Sequence, residues 1–184
     1  MGDDKQGIGL LGGSFDPVHN GHLAIAQSFL ESEYISELWV LPAPDPPHKK
    51  HSLTNYDIRL KMLKVAFGQM DDVCINEVEK KLSYPSYTVQ TVKYLNEKHP
   101  DSSFFLCIGE DSAVDFTEWF QWQEILDYCN LLIARRSTTD GSGPNEKVLE
   151  KVRFVSHQPV DISSTEIRKR AGQGKDISTM VPEG

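Results

Sequence analysis

The chain has 184 residues, 39% of them hydrophobic and 25% charged, and it contains no apolar run long enough to cross a membrane. Its formal net charge of -8 at pH 7 argues against a protein that coats DNA or RNA, because such proteins neutralise phosphates with a basic surface. The three cysteines form no Cys-x-x-Cys pair and indicate neither a disulfide framework nor a cysteine-rich metal site. We therefore expect a single domain over residues 1–184 that is soluble, cytoplasmic and bound to no membrane or nucleic acid.

Short apolar runs alternate with helix-like stretches along the chain. The runs at 8–11, 38–41, 73–75, 104–108, 131–134 and 152–155 are predicted to be strands. The amphipathic stretches at 23–30, 58–67, 89–95, 119–126 and 167–171 are predicted to be helices. This alternation favours an α/β fold with a Rossmann-like doubly wound parallel sheet and helices on both faces, where ligands bind beyond the C-terminal strand ends.

Two segments interrupt the alternation. Residues 42–51 are too rich in proline to be helical, and we expect a stiff surface loop there. Residues 137–145 consist mostly of Ser, Thr, Gly and Asp, and we expect a mobile loop. Residues 7–12 also match the Gly-x-Gly-x-x-Gly spelling of dinucleotide-binding proteins, but that pattern must follow a strand and here it is itself the first predicted strand.

The first predicted strand ends in Gly-Gly-Ser-Phe-Asp-Pro-Val-His-Asn-Gly-His, residues 12–22, and a predicted helix follows. Gly12 and Gly13 let the backbone approach an anion, Asn20 is suited to cap the helix, and amides at a helix start point toward negative charge. His19 and His22 stand three residues apart, so both imidazoles can donate hydrogen bonds to one phosphate as its charge grows during phosphoryl transfer. We interpret the segment as a phosphate clamp.

The second motif is Asp-Ile-Ser-Ser-Thr-Glu-Ile-Arg-Lys-Arg, residues 161–170, which follows the last predicted strand and opens a helix. Ser163 and Glu166 have the spacing of a capping box. Ser164 and Thr165 then fall in the first turn, and Arg168 lies four residues beyond Ser164 on the same face. Hydroxyl groups, helix-start amides and a guanidinium together suit an oxygen-rich triphosphate.

Together these two motifs resemble those of the nicotinate-nucleotide adenylyltransferase family of HxGH nucleotidyltransferases. Segments 46–49 (PPHK), 85–88 (PSYT), 108–112 (IGEDS) and Trp119 resemble that family in the same order, so the resemblance covers nearly the whole chain. It implies transfer of AMP from ATP to nicotinate mononucleotide, giving deamido-NAD and pyrophosphate. Members of that family usually continue into another helix after the segment that matches residues 181–184.

The resemblance also implies roles for individual residues. His19 and His22 match residues that contact the ATP phosphates, and the residues that match those holding the triphosphate are Ser163, Ser164, Thr165 and Arg168. Ser14 and Phe15 match the ATP-binding turn, Asp111 matches a residue near the nucleotide, and Lys49 matches the proline-rich loop. Trp119 matches the residue that stacks on the pyridine ring. Tyr87 and Thr88 match residues near the carboxylate of that ring. Mg2+ is expected to bind mainly through the phosphates of ATP.

Simpler interpretations stay open at several positions. The two histidines suit surface positions or a zinc site, although zinc histidines on a helix more often stand four apart. Lys49 suits a solvated loop tip, and Tyr87 with Thr88 suits a helix cap. An aromatic core face would account for Phe116, Trp119, Phe120 and Trp122.

Other functions also stay open. Phosphopantetheine adenylyltransferases and cytidylyltransferases use a related turn, and a noncatalytic nucleotide-binding module or an NAD-dependent oxidoreductase has a similar topology. The PPHK loop, the SYT segment and the ISSTEIR helix favour a pyridine nucleotide through the resemblance. The resemblance alone favours nicotinate over nicotinamide mononucleotide, and assembly into a homo-oligomer is left undecided.

Overall fold

Within residues 7–44, 53–135 and 145–183, which the computed structural model describes, six strands form one parallel sheet in the order β3-β2-β1-β4-β5-β6. The strands are β1 (Gly7–Gly13), β2 (Ile35–Pro42), β3 (Val73–Ile75), β4 (Phe104–Gly109), β5 (Asn130–Arg135) and β6 (Val152–Ser156). Every strand predicted from an apolar run is confirmed, and residues 7–12 lie inside β1 rather than in a glycine-rich turn after a strand.

The α-helices of the same residues are α1 (Asn20–Leu30), α2 (Tyr56–Phe67), α3 (Thr88–Lys98), α4 (Glu110–Val114), α5 (Trp122–Tyr128) and α6 (Ser164–Gly172). Short 3-10 helices cover Val78–Lys81, Phe116–Glu118 and Glu146–Lys151. None of the helices in the described parts of the chain has the length and hydrophobicity that crossing a bilayer requires.

The predicted helix over residues 119–126 is wrong at its start. Trp119 ends the preceding 3-10 helix, and Gln121 has a φ of 52°, a left-handed conformation that separates that turn from α5. Helix α4 was not predicted, because a single turn of five residues is too short to give a periodic apolar pattern.

Alternating side chains of the central strands supply two separate apolar cores. Leu10 of β1 belongs to one core, together with residues of α3 and α5 such as Val92 and Ile125. Its neighbour Leu11 belongs to the other core, with residues of α1 and α2 such as Phe29. Because successive residues of a strand point to opposite faces, this division confirms the predicted sheet with helices on both faces.

The strand order places β1 between β2 and β4, both parallel to it. The chain therefore winds outward from β1 in one direction through β2 and β3, and in the other through β4, β5 and β6. Open α/β sheets bind ligands beyond the C-terminal strand ends at such a reversal. Here Gly12 and Gly13 close β1 and Gly109 closes β4 at that edge.

Candidate active site

The turn after β1 exposes its backbone at one glycine and is tightly packed at the next. A Cβ on Gly12 would meet no described atom within 4 Å, whereas one on Gly13 would lie 2.9 Å from the Phe15 ring. Phe15 is buried and has a φ of 47°, which non-glycine residues rarely adopt. The packing of Phe15 thus fixes the turn while the end of β1 stays accessible to a ligand.

His19 and His22 meet at the start of α1, with ring centroids 3.8 Å apart and an interplanar angle of 33°. The backbone N–H of His19 donates to Nδ1 of His22 over 3.1 Å. This nitrogen therefore carries no proton, and a neutral His22 holds its proton on Nε2. Asn20 was predicted as the helix cap, but His19 occupies that position, because the His22 ring accepts the amide that a cap would otherwise leave unpaired.

Burial sets the protonation state of His19. The residue is 7% exposed, and its Nδ1 has no hydrogen-bond partner among the described residues. Burial lowers the pKa of His19 from 6.5 to about 4, so the ring is neutral at pH 7. A Cβ on Gly21 would lie 3.0 Å from that same Nδ1, so the glycine between the histidines makes room for the ring.

The start of α6 docks onto the turn that precedes α1. Ser163 caps α6, its Oγ accepting from the backbone N–H of Glu166 over 3.2 Å, which confirms this half of the predicted capping box. Ser164 Oγ donates to the carbonyl of Pro17 over 2.9 Å. Arg168 donates through Nη1 to the carbonyl of Asp16 over 2.6 Å and through Nη2 to Thr165 Oγ1 over 3.4 Å. The two sequence motifs therefore form one surface.

A C-terminal turn joins this surface, a contact that the sequence did not predict. The backbone N–H of Asn20 donates to the carbonyl of Met180 over 3.0 Å. The Asn20 side chain donates to the carbonyl of Thr179 over 3.1 Å. Since the first amides of a helix have no partner inside the helix, the turn satisfies one of these donors at α1.

A cavity of about 270 Å³ lies beside the start of α3 and the ends of β1, β2 and β4. It brings together six of the residues predicted for ligand binding: Gly12, Gly13, Ser14, Tyr87, Thr88 and Trp119. Thr88 is the first residue of α3, and the backbone N–H of Tyr87 is accepted by Gln90 Oε1 over 3.0 Å. Tyr87 therefore occupies the predicted cap position of α3 and also lines the cavity.

The neighbouring aromatic residues divide between core and cavity. Phe116 is fully buried, and Trp122 packs against the same core. Trp119 and Phe120 line the cavity, and Phe120 is 53% exposed. Tyr87 and Phe120 face each other with centroids 4.6 Å apart. Phe120 was named only as part of a possible aromatic core face, so this cavity residue was missed.

Glu79 was missed as well. It lies on the 3-10 helix Val78–Lys81, is partly buried and lines the cavity. Its carboxylate accepts hydrogen bonds from Thr91 Oγ1 over 3.3 Å and from Ser86 Oγ over 3.5 Å. Burial raises the pKa of Glu79 to about 7, against the lowering effect of those two hydrogen bonds.

Arg59 of α2 holds the loops beneath the site and is only 1% exposed. Its guanidinium donates four hydrogen bonds of 2.6 to 3.0 Å to backbone carbonyls, those of Ser14, Ala43, Pro44 and Thr54. Asp16, also 1% exposed, accepts from the backbone N–H of Thr54 over 3.3 Å. The only sequence signal for Arg59 was a charged residue on the apolar face of a helix, in register with Leu63.

One predicted residue is not part of this assembly, and another lies outside the described residues. Asp111 is exposed in the first turn of α4 and does not line the cavity. Lys49 lies outside the described residues, as do residues 45–51 of the predicted proline-rich loop and residues 137–144 of the predicted mobile loop.

Helix starts bearing histidines, serines and an arginine, set beside a cavity at the reversal point of a parallel sheet, are the arrangement expected of a nucleotide-handling α/β protein. Residues 10–170 match the cytidylyltransferase-like family. A probable nicotinate-nucleotide adenylyltransferase from Shewanella frigidimarina is 32% identical, covering 96% of this chain and 93% of that protein. One from Rhodopirellula baltica is 36% identical, covering 97% and 88%.

Among solved structures, a nicotinic acid mononucleotide adenylyltransferase from Plasmodium falciparum complexed with NaAD has the same fold. Its TM-score is 0.77 at 22% identity, with 96% of this chain and 90% of that one covered. The chain therefore belongs to the cytidylyltransferase-like family and, as its full-length relatives show, to the nicotinate-nucleotide adenylyltransferases within the nucleotidyltransferases. The resemblance stated from the sequence is confirmed.

Proposed function

We propose that the chain transfers the AMP unit of ATP to nicotinate mononucleotide, forming deamido-NAD and releasing pyrophosphate. The observation that carries this proposal is the docking of the α6 start onto the turn before α1, through Ser164 to Pro17 and Arg168 to Asp16, beside an aromatic cavity. In this proposal, the two clusters of phosphate-binding groups hold the phosphates of ATP next to a pocket for a flat ring. The names of the full-length relatives support the choice of substrates.

In the proposed reaction, an oxygen of the mononucleotide 5'-phosphate attacks the α-phosphorus of ATP. The new P–O bond forms as the bond to the β-phosphate bridging oxygen breaks, and that electron pair leaves with pyrophosphate. No covalent enzyme intermediate is required, so catalysis consists of positioning and charge stabilisation. Hydrogen-bond donors held in fixed positions can provide both effects.

His22 is the donor best prepared for the α-phosphate. Its Nδ1 is occupied by the His19 amide, so its proton on Nε2 can be donated to a phosphate oxygen. The neutral His19 supplies a second donor, and binding of a polyanion will raise its low pKa. Donors fixed before the reaction stabilise the charge that spreads over the α-phosphate oxygens.

The start of α6 is proposed to hold the β- and γ-phosphates. Ser163, Ser164 and Thr165 bring hydroxyl groups and helix-start amides, and the field of the helix favours an anion there. Arg168 is already oriented by the carbonyl of Asp16 and by Thr165, which lowers the entropy lost when its guanidinium binds phosphate. The turn of Gly12 to Phe15 lies along the nucleotide between these groups.

The cavity is proposed to hold the pyridine ring. Trp119 and Phe120 offer aromatic surfaces, and Tyr87 narrows the space opposite Phe120. Thr88 places the amide-rich start of α3 in the same wall, a position that suits the negative carboxylate of nicotinate.

Among the described residues, no group of three or more His, Cys, Asp or Glu side chains is placed to hold a metal ion. Ser and Thr hydroxyls near the phosphates, rather than a cluster of carboxylates, fit an Mg2+ ion that binds mainly to the phosphates of ATP. When bound, Mg2+ neutralises the charge of the departing pyrophosphate. As the resemblance implies, Asp111 is proposed to lie near the bound nucleotide and Lys49 to contact it.

The test is pyrophosphate release from ATP with nicotinate mononucleotide, nicotinamide mononucleotide, phosphopantetheine or no acceptor, with the product identified by mass spectrometry. We expect release that depends on nicotinate mononucleotide and yields deamido-NAD. Release with phosphopantetheine alone would assign the rival adenylyltransferase reaction. ATP binding without release for any acceptor would indicate a noncatalytic nucleotide-binding module.

A further inference from the structure

The cavity proposed for the pyridine ring contains a carboxyl group whose presence the proposed reaction does not explain. Among the described residues that line the cavity, Glu79 is the only one with a carboxyl, amino or guanidinium group. Thr91 and Ser86 hold its two oxygens in place from α3 and from the segment before it. The group is therefore fixed in the wall that also contains Tyr87 and Thr88.

A fixed carboxylate at this position conflicts with an acidic ligand. Two negative charges repel strongly where burial lowers the effective dielectric constant, and neither can donate a hydrogen bond to the other. An ionised Glu79 would instead accept hydrogen bonds from the carboxamide of nicotinamide mononucleotide. A protonated Glu79 removes the conflict, because its O–H can donate to the carboxylate of nicotinate.

We infer that Glu79 is a specificity-determining residue that recognises the substituent on the pyridine ring, and that nicotinate mononucleotide binds together with a proton held on this carboxyl group. The inference rests on the function proposed above. The proton comes from solvent and stays on Glu79, so no bond of the substrate changes. Binding of the acid then becomes weaker as pH rises, whereas binding of the amide does not.

The surroundings of Glu79 support a neutral carboxyl near physiological pH. Burial raises its pKa to about 7. From α2, the pKa of Tyr56 is raised, first by burial and then by the nearby charges of Glu77 and Glu79, so its phenol stays neutral beside them. On the same 3-10 segment, Lys80 is shared between Glu77 and Asp57, at 4.0 and 3.9 Å.

Among the described residues, the remaining walls of the cavity bear no carboxyl, amino or guanidinium group. From β4, the Cys107 thiol lines the cavity, and burial raises its pKa, so it stays protonated. From α3 and the segment before it, Tyr87 brings a phenol, and Ser86 and Thr91 bring hydroxyls. The ends of β1 and β2 and the Trp119 segment contribute uncharged side chains.

The decisive measurement is the KM for each mononucleotide as a function of pH, at saturating ATP. For nicotinate mononucleotide we expect KM to rise about tenfold from about pH 6 to about pH 8, because the binding form of Glu79 is depleted above its pKa. Nicotinamide mononucleotide carries the same 5'-phosphate, so its KM corrects for titration of that phosphate and of the histidines. Its KM should show no such rise.

Glu79→Gln keeps the size of the side chain and cannot ionise. After correction by the KM for nicotinamide mononucleotide, the KM of this variant for nicotinate mononucleotide should no longer depend on pH. Its kcat should follow the same pH profile as in the unsubstituted protein. Glu77→Gln is the matched control, since Glu77 lies two residues away and does not line the cavity. That variant should keep the tenfold rise.

A measurement on the unsubstituted protein makes the test independent of how the variants fold. Calorimetric titration with nicotinate mononucleotide, with saturating α,β-methylene-ATP and in buffers of different ionisation enthalpy, should show uptake of about one proton at about pH 8. Titration with the amide should show none. Turnover with nicotinate mononucleotide but a flat KM and no proton uptake would overturn the Glu79 inference alone, whereas absence of that turnover at every pH would overturn the proposed function as well.

Discussion

The candidate site has two sides that are built by different means. The helix-start side, made of His19, His22, Ser163, Ser164 and Arg168, is held by hydrogen bonds to backbone groups. The cavity side, made of Glu79, Tyr87, Trp119 and Phe120, is held mainly by ring packing, and Glu79 is its carboxyl-bearing member. Hydrogen bonds fix direction, whereas packing fixes shape and excludes water.

This difference predicts two kinds of failure. A substitution on the helix-start side removes a donor aimed at charge that develops in the transition state, so it should lower kcat. A substitution on the cavity side removes contact area that the ground state already uses, so it should raise KM for one substrate. Both sides rest on the same turn after β1, which Arg59 holds from below.

The largest effect is expected at Arg59, because its loss would damage both sides together. Arg59→Met leaves four buried carbonyl groups without their donor, and we expect the free energy of unfolding to fall by about 3 to 5 kcal/mol. Urea unfolding followed by circular dichroism measures this loss. Lys64→Met, on the exposed face of α2, is the control and should cost little. Equal stabilities for the two variants would show that the hydrogen bonds of Arg59 to these four carbonyl groups do not stabilise the fold.

His22→Ala tests the helix-start side alone. Removing one donor prepared for the α-phosphate should reduce kcat about a hundredfold or more. The circular dichroism spectrum and the KM for nicotinate mononucleotide should change little, because the residue lies outside the cavity wall. Steady-state pyrophosphate release gives both constants. An unchanged kcat would remove His22 from the proposed mechanism.

The two sides should also respond to pH with opposite signs. The pKa of His19 falls from 6.5 to about 4 on folding, so its contribution to stability is present above 6.5 and lost as pH falls toward 4. The pKa of Glu79 rises from 4.5 to about 7, so its carboxyl destabilises the fold as pH rises through that range. The effects overlap in pH and oppose each other in the unsubstituted protein.

Variants separate these contributions. Between about pH 7 and about pH 4.5, the unsubstituted protein should lose about 2 kcal/mol more stability than His19→Gln does, since glutamine does not titrate. Urea unfolding at both pH values measures the difference. If the two proteins lose the same stability, the imidazole of His19 is not held neutral by the fold.

The sequence predicted the helix-start side better than the cavity side for a physical reason. The groups of the helix-start side come from two short motifs, in which helix capping and residue spacing fix which side chains share a face. The cap of α1 was still misplaced by one residue, because His19 rather than Asn20 occupies the cap position and the His22 ring accepts the His19 amide. The contact of Asn20 with the Met180 turn joins distant segments, which local patterns do not reveal.

The fold was predictable because buried parallel strands read as apolar runs, and all of those runs became strands. The cavity side depends on long-range packing instead. In the sequence Glu79 has charged neighbours, which indicates a solvated residue. Only the folded chain shows that α3 packs over its carboxylate. Phe120 could not be separated from its aromatic neighbours, because the left-handed Gln121 breaks the helical period that would have placed them.

Trp119→Ala is the smallest of the expected effects and separates the two sides most directly. Loss of one aromatic face should raise KM for nicotinate mononucleotide about tenfold, as one stacking contact contributes about 1 to 1.5 kcal/mol. The KM for ATP and kcat at saturating mononucleotide should stay close to their original values, because the helix-start side is untouched. Trp122→Phe is the matched control, since Trp122 packs against the core and does not line the cavity. A fall in kcat without a change in KM would mean that the ring contact is made only in the transition state, and packing on the cavity side would then act on rate as the hydrogen bonds of the helix-start side do.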